Sequence, residues 1–186
     1  MKQRKGGAVA RKTKADWLEA GIETLAVEGV DALTIDRLAA GLGVTKGSFY
    51  HHFRSHADYR DALLDYWEQE GTERIIATAQ TADDALTSMD RVMRLSPIVT
   101  RRNSPELAFR AWATRDPVVA AFVERIDKRR LKYGEDLLTV VVGDRERARF
   151  LVRMLYATIV GAGHIHPPVK RRQMLDFYEE FKRLLI

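Results

Sequence analysis

The 186-residue chain has no cysteine, which excludes a disulfide framework, thiolate zinc sites, iron–sulfur ligation and a thiol nucleophile, and fits a reducing compartment. Proline is sparse, and all five prolines fall after residue 96. No apolar run approaches the ~20 residues of a membrane span, and the basic N-terminus has no apolar stretch behind it to make a signal peptide. The expectation is a soluble, cytoplasmic protein that does not engage a membrane. Strand-like alternation is missing too. The β-branched run from Leu137 to Val142 follows a helical pattern without a break and has no partner strand, so it reads as a helix end. The expected fold class is all-α.

An apolar fraction of 46% is enough to fill a core in a chain of this length, which corresponds to one domain or a small module fused to a larger one. The net charge of +5 is unevenly placed: residues 1–14 hold six basic residues and no acid, whereas residues 15–60 are net acidic. Residues 1–12, broken by Gly6-Gly7, read as a disordered basic arm open to a polyanion. A plain solvated terminus fits the charge equally well.

Beyond the arm, helix signals are dense. Thr13 and Asp16 have capping-box spacing, Trp17, Leu18, Ile22, Leu25 and Ala26 share a stripe, and Gly29 supplies a left-handed stop. Thr34 caps a second helix carrying Ile35, Leu38, Ala39 and Leu42 and ending at Gly41-Leu42-Gly43. Thr45 opens a very short third helix, with Val44 and Phe49 at hydrophobic-staple spacing. Ser55 and Asp58 are a second capping-box pair, opening a long fourth helix with Tyr59, Leu63, Tyr66, Trp67, Ile75 and Ile76 on its path.

Two helices joined by a glycine-bearing turn, the second short and polar outward, make the helix-turn-helix pattern, which presents its second helix to the DNA major groove. Phe49 and Phe53 face the core in this reading. Lys46, Tyr50, Thr45 and Ser48 offer donors for phosphates or base edges, and Gly47 lets DNA approach its backbone closely. His51-His52 is not a metal pair, because neighbours on a helix diverge by about 100°.

The run Leu33-Thr-Ile-Asp-Arg-Leu-Ala-Ala-Gly-Leu-Gly-Val-Thr-Lys-Gly-Ser-Phe-Tyr-His-His-Phe53 resembles the helix-turn-helix signature of TetR-family transcriptional regulators, with similarity extending from about Thr13 to Leu64. The resemblance implies an N-terminal three-helix DNA-binding module, residues 13–60, joined by a long helix to a C-terminal ligand-binding and dimerisation bundle, residues 61–186, with about nine helices in all. It implies phosphate contacts from the residues matching Thr34, Lys46, Tyr50 and His51, and base proximity for Thr45, Gly47 and Ser48. The family commonly has lysine where this chain has His56, so a phosphate contact there is weaker and pH-dependent, and Arg54 is placed to compensate.

The second part reads as a bundle broken near Thr81, Ser96-Pro97, Ser104-Pro105, Asp116-Pro117, Gly143-Asp144 and Pro167-Pro168. The basic run Lys128-Arg129-Arg130-x-Lys132 alternates with acids and reads as a solvated face. The last two helices are apolar on more than one stripe. Phe150, Leu151, Leu155, Ile159, Met174, Phe177, Tyr178 and Phe181 are the candidate residues for a two-fold, four-helix interface with a second copy. Two copies would set the short helices about 34 Å apart on operator double-stranded DNA.

Trp67, Met89, Met93, Phe109, Trp112, Phe122, Met154 and Tyr156 are candidate lining for an apolar effector pocket, or ordinary core. His164-Ile-His166 reads as structural or exposed rather than as a ligand pair. No nucleophile motif, phosphate loop or metal-ligand spacing is present, so no enzyme, cofactor or metal is expected. The reading is a dimeric DNA-binding repressor released by a small apolar ligand. The alternative is the same dimer answering to a protein partner or organising DNA.

Overall fold

The structure is a computed structural model that describes residues 11–96 and 104–185. Most of the basic arm and the proline of the Ser96-Pro97 break lie outside the described residues. The described residues are helical without a strand: α1 (Lys14–Glu28), α2 (Ile35–Leu42), α3 (Lys46–Tyr50), α4 (His56–Glu68), α5 (Arg74–Ala79), α6 (Ala85–Leu95), α7 (Pro105–Ala113), α8 (Pro117–Val142), α9 (Arg145–Ala162) and α10 (Arg171–Arg183). A π-helical segment, Gln69–Glu73, runs without a break from α4 into α5.

Local chemistry sets the helix ends. Thr13 and Asp16 form the full capping box, and the two hydrogen bonds from Thr13 hold the Asp16 carboxyl below the usual carboxylate range. Thr34 and Ser55 each accept the backbone N–H three residues on. The Ser55 box is incomplete, because the Asp58 carboxylate turns to the Arg54 N–H at 2.8 Å instead of the cap. Gly43 and Gly143 close α2 and α8 in the left-handed region, where a Cβ is strained. Gly29 has φ of 84° but an extended ψ of 178°, so it redirects the chain rather than forming the left-handed stop.

Two apolar clusters make the core. The first joins the head to the bundle: Trp17, Leu38, Phe49, Phe53 and Tyr59 continue through Trp67 into Phe109, Trp112, Val123 and Ile126. Each such aromatic, fully buried, is worth about 1.5–3 kcal/mol of transfer free energy. Phe49 is ringed by Trp17, Phe53 and Tyr59 at centroid separations of 5.0–5.4 Å. The second cluster unites Met89, Met93, Leu138, Leu151, Met174, Tyr178 and Phe181 from α6, α8, α9 and α10. Helix α1 packs on α2, α4 and α7, so the head sits on the bundle rather than hanging from a linker.

The junction between the clusters, built from α7, α8 and α9, is ionic. Glu106, 2% exposed, accepts from Arg110 and Arg130, and Arg110 also grips Asp127 with both terminal nitrogens. The Tyr156 hydroxyl donates to Asp127 at 2.7 Å and accepts from both arginines. Two cations and two carboxylates balance, which is the condition for burying such a group. Arg130 is therefore not part of a solvated face. Its side chain is 13% exposed, while that of Lys128 in the same run is 75% exposed.

Candidate nucleic-acid interface

The reading head presents α3 because its own core leaves no other choice. Phe49 is buried, and the residues around it point away: Thr45, Lys46, Gly47, Tyr50 and His51 are exposed and Ser48 is half-buried. Tyr50 is 60% exposed and meets Phe49 only edge to face, so it is a surface residue and not a core aromatic. Thr45 precedes α3 in extended conformation without spending its side chain on a cap, which leaves its hydroxyl facing outward. A Cβ on Gly47 would meet only the Thr45 hydroxyl, at 3.6 Å, so this glycine keeps the surface low rather than relieving an internal clash.

Lys46 is held by Asp36 from α2 at 2.5 Å, with both side chains more than 60% exposed. An exposed pair of this kind contributes about 0–1 kcal/mol, so the ammonium is readily surrendered to a phosphate. Thr34 is exposed at the start of α2, on the same module.

The histidines divide. His51 is exposed, whereas His52 Nε2 meets the Lys12 carbonyl at 2.9 Å, and this contact fastens the described end of the basic arm against α3. Lys14 lies over the Phe53 ring at 5.4 Å. Lys12 and Lys14 therefore stand beside the reading head, a basic flank that the arm's charge alone did not locate. His56 Nε2 meets the Leu33 carbonyl at 2.8 Å. A carbonyl only accepts, so that nitrogen carries its proton toward the backbone and is not free for a phosphate. The Arg54 side chain is exposed next to it.

Some 110 Å³ of cavity lies in the bundle, walled by α5, α6, α8 and α9 and the π-helical segment. Met89, Met93 and Tyr156 line it. Trp67, Phe109, Trp112 and Phe122 lie in the first core cluster instead, Trp67 stacked on Phe109 at 4.0 Å, and Met154 is on the outer side of α9. Arg130, Tyr133 and Thr72 belong to the cavity wall and carry its polar chemistry. No periodicity in the sequence marks them. Among the candidate interface residues, Phe150 and Phe177 are exposed, while Leu151, Met174, Tyr178 and Phe181 are buried within the protomer and Leu155 and Ile159 line the cavity. His164 and His166 are exposed, and no cluster of metal-ligating residues occurs among the described residues.

A short exposed helix, set by a tight turn on a rigid aromatic core and flanked by cations, is the layout of a helix-turn-helix module. Residues 18–63 match the family described as bacterial regulatory proteins, tetR family, so the N-terminal module is similar to that family's helix-turn-helix module. The chain is 33% identical over 105 residues to the HTH-type transcriptional repressor Rv1474c of Mycobacterium tuberculosis, a match covering 50% of this chain and 52% of that protein. The chain thus spans about half the length of this curated relative. Its fold resembles SCO4454, a TetR-family regulator from Streptomyces coelicolor, with TM-score 0.76 and 20% identity over 92% of this chain and 93% of that one. It also resembles a proposed transcriptional regulator from Saccharomonospora viridis solved in complex with choline, with TM-score 0.74 and 18% identity over 90% and 94%. At these identities the two structures speak for the fold alone. No described helix is long and apolar enough to cross a membrane.

Proposed function

We propose that the protein is a cytoplasmic repressor that binds a palindromic operator as a homodimer and leaves it when a small molecule occupies the bundle cavity. The observation that carries the DNA-binding half is the outward face of α3, where Lys46, Gly47, Tyr50 and His51 stand clear of a locked core. Thr34, Lys46, Tyr50 and His51 bind phosphates, and Thr45, Gly47 and Ser48 approach the base edges. Arg54, with the flank of Lys12 and Lys14, adds phosphate affinity.

The second copy covers the apolar stripe left on the last two helices, Phe150 and Met154 on α9 with Phe177 on α10 and Leu184 just past its end. Release works through α4, which runs from the head into the π-helical segment. Arg130 donates there to the Gly71 carbonyl and the Thr72 hydroxyl, so a wall of the cavity is fastened to the end of the lever. A ligand weakens operator binding only by its preference for the conformation with misplaced recognition helices. The neighbour crystallised with choline supports a small-molecule effector on this fold. The cavity favours that reading over control by a protein partner, which would need no internal space.

Selection of genomic fragments by the purified protein, followed by mobility shifts across a salt series, tests the assignment. A palindromic duplex bound with steeply salt-dependent affinity is expected. Indifference to sequence, or no binding at low salt, overturns it.

A further inference from the structure

Sixteen described residues line the cavity, and none is Asp, Glu, Lys or His. Among these described residues the single formal charge is Arg130, and it is already spoken for. Its guanidinium donates to Thr72, Glu106, Tyr156 and the Gly71 carbonyl. An anionic ligand would bring an uncompensated charge into a balanced network, and a cation would find no carboxylate to meet it.

Among the wall hydroxyls, Tyr156 is saturated, with its proton on Asp127 and both arginines donating to its oxygen. Thr72 is engaged by Arg130, and Ser96 is not without a partner. Tyr133 differs: its hydroxyl oxygen is buried without a partner in hydrogen-bonding geometry. The neighbouring Ser88 already donates to the Ala79 carbonyl at 2.9 Å. Burial, only partly opposed by Ser88 and Arg129, keeps the Tyr133 phenol protonated well past neutral pH. A buried O–H without an acceptor costs about 1–3 kcal/mol, which a ligand oxygen in the cavity would relieve.

We infer that the effector is a small neutral molecule, mostly hydrocarbon, with one acceptor oxygen of ketone, ester or ether type that takes the Tyr133 proton. The inference rests on the cavity being the effector site. A cavity of about 110 Å³ is on the scale of the ~150 Å³ engineered cavity that admits benzene, so a six-membered ring is the right size of probe.

The test is amide-resonance titration of the full chain with four ring compounds: cyclohexanone, methylcyclohexane, cyclohexanecarboxylate and cyclohexylammonium. Cyclohexanone is expected to bind tightest and to shift the resonances of lining residues. Tyr133→Phe is expected to lower its affinity about three- to tenfold, to that of methylcyclohexane, whose own affinity stays unchanged. Because the substitution removes an unpaired hydroxyl, thermal stability should not fall, and the ligand ranking on the wild-type protein stands whether or not it does. Tightest binding by the carboxylate or the ammonium ion would overturn the neutral class while leaving the cavity as effector site. Cyclohexanone affinity unmoved by Tyr133→Phe would overturn the anchor. Silence of the lining resonances toward all four compounds would overturn this inference and the effector reading together.

Discussion

The hydroxyl of Tyr59 occupies the space that any side chain on Gly21 would fill, while donating to the Trp17 carbonyl at 2.9 Å. The two residues lock α1 against α4, and with them the frame on which α3 is mounted. In an isolated helix, Gly→Ala would gain up to about 1 kcal/mol. Here the added methyl overlaps the phenol and must displace a buried ring, which costs more than the helix gains. Gly21→Ala is expected to lower stability by about 2–4 kcal/mol in urea denaturation. Gly21→Ala with Tyr59→Phe should recover part of it, and additive losses would show that the clash is elsewhere.

That contact illustrates what a linear reading reaches. Caps at Thr13, Thr34 and Ser55 were legible because their partners lie three residues away, and so was the inward turn of Phe49 and Phe53. Gly21 was not, since a glycine within a helix does not name the residue that crowds it. Arg130 was hidden for a related reason: a run of basic residues looks solvated, and only the approach of Glu106 from α7 takes one of them inside. The outward face of α3 follows from local spacing. The cavity wall is assembled from four separate stretches of chain, and no local pattern encodes it.

Asp36 competes with DNA for Lys46. Asp36→Asn removes the carboxylate that holds the ammonium at 2.5 Å and takes a negative charge off the reading head. Operator affinity should rise several-fold at low salt, with the gain shrinking as salt screens it. Lys46→Ala should weaken binding to all sequences and reduce the salt slope by about one. Mobility shifts from low to moderate salt check both, and an unchanged slope would remove Lys46 from the phosphate contacts.

Phe177 and Phe150 are 47% and 68% exposed, so polar replacement removes no protomer core. Phe177→Glu, which sets a carboxylate on the stripe proposed to face its own symmetry mate, should halve the mass seen in sedimentation and leave the helical circular dichroism unchanged. DNA affinity should fall with it, because one short helix grips only a few base pairs. A variant still dimeric at micromolar concentration would place the interface elsewhere.

Burial pushes the Tyr156 phenol up to about 12, chiefly by desolvation, with Arg130 acting in the opposite direction. The unfolded chain ionises this group near pH 10. The neutral phenol is the form the fold favours, so its contribution is complete below pH 10 and is lost as pH climbs through 12. The loss is on the order of 3 kcal/mol. Tyr156→Phe will be less stable at neutral pH, because the bonds to Asp127, Arg110 and Arg130 go with the hydroxyl. The informative quantity is therefore the slope. Tyr59 and Tyr178 are also raised by burial and titrate in both proteins. Between pH 10 and 12 the wild type should lose stability more steeply than Tyr156→Phe in parallel denaturant melts. Equal slopes would mean that water reaches the phenol and that the ionic junction between the clusters is open.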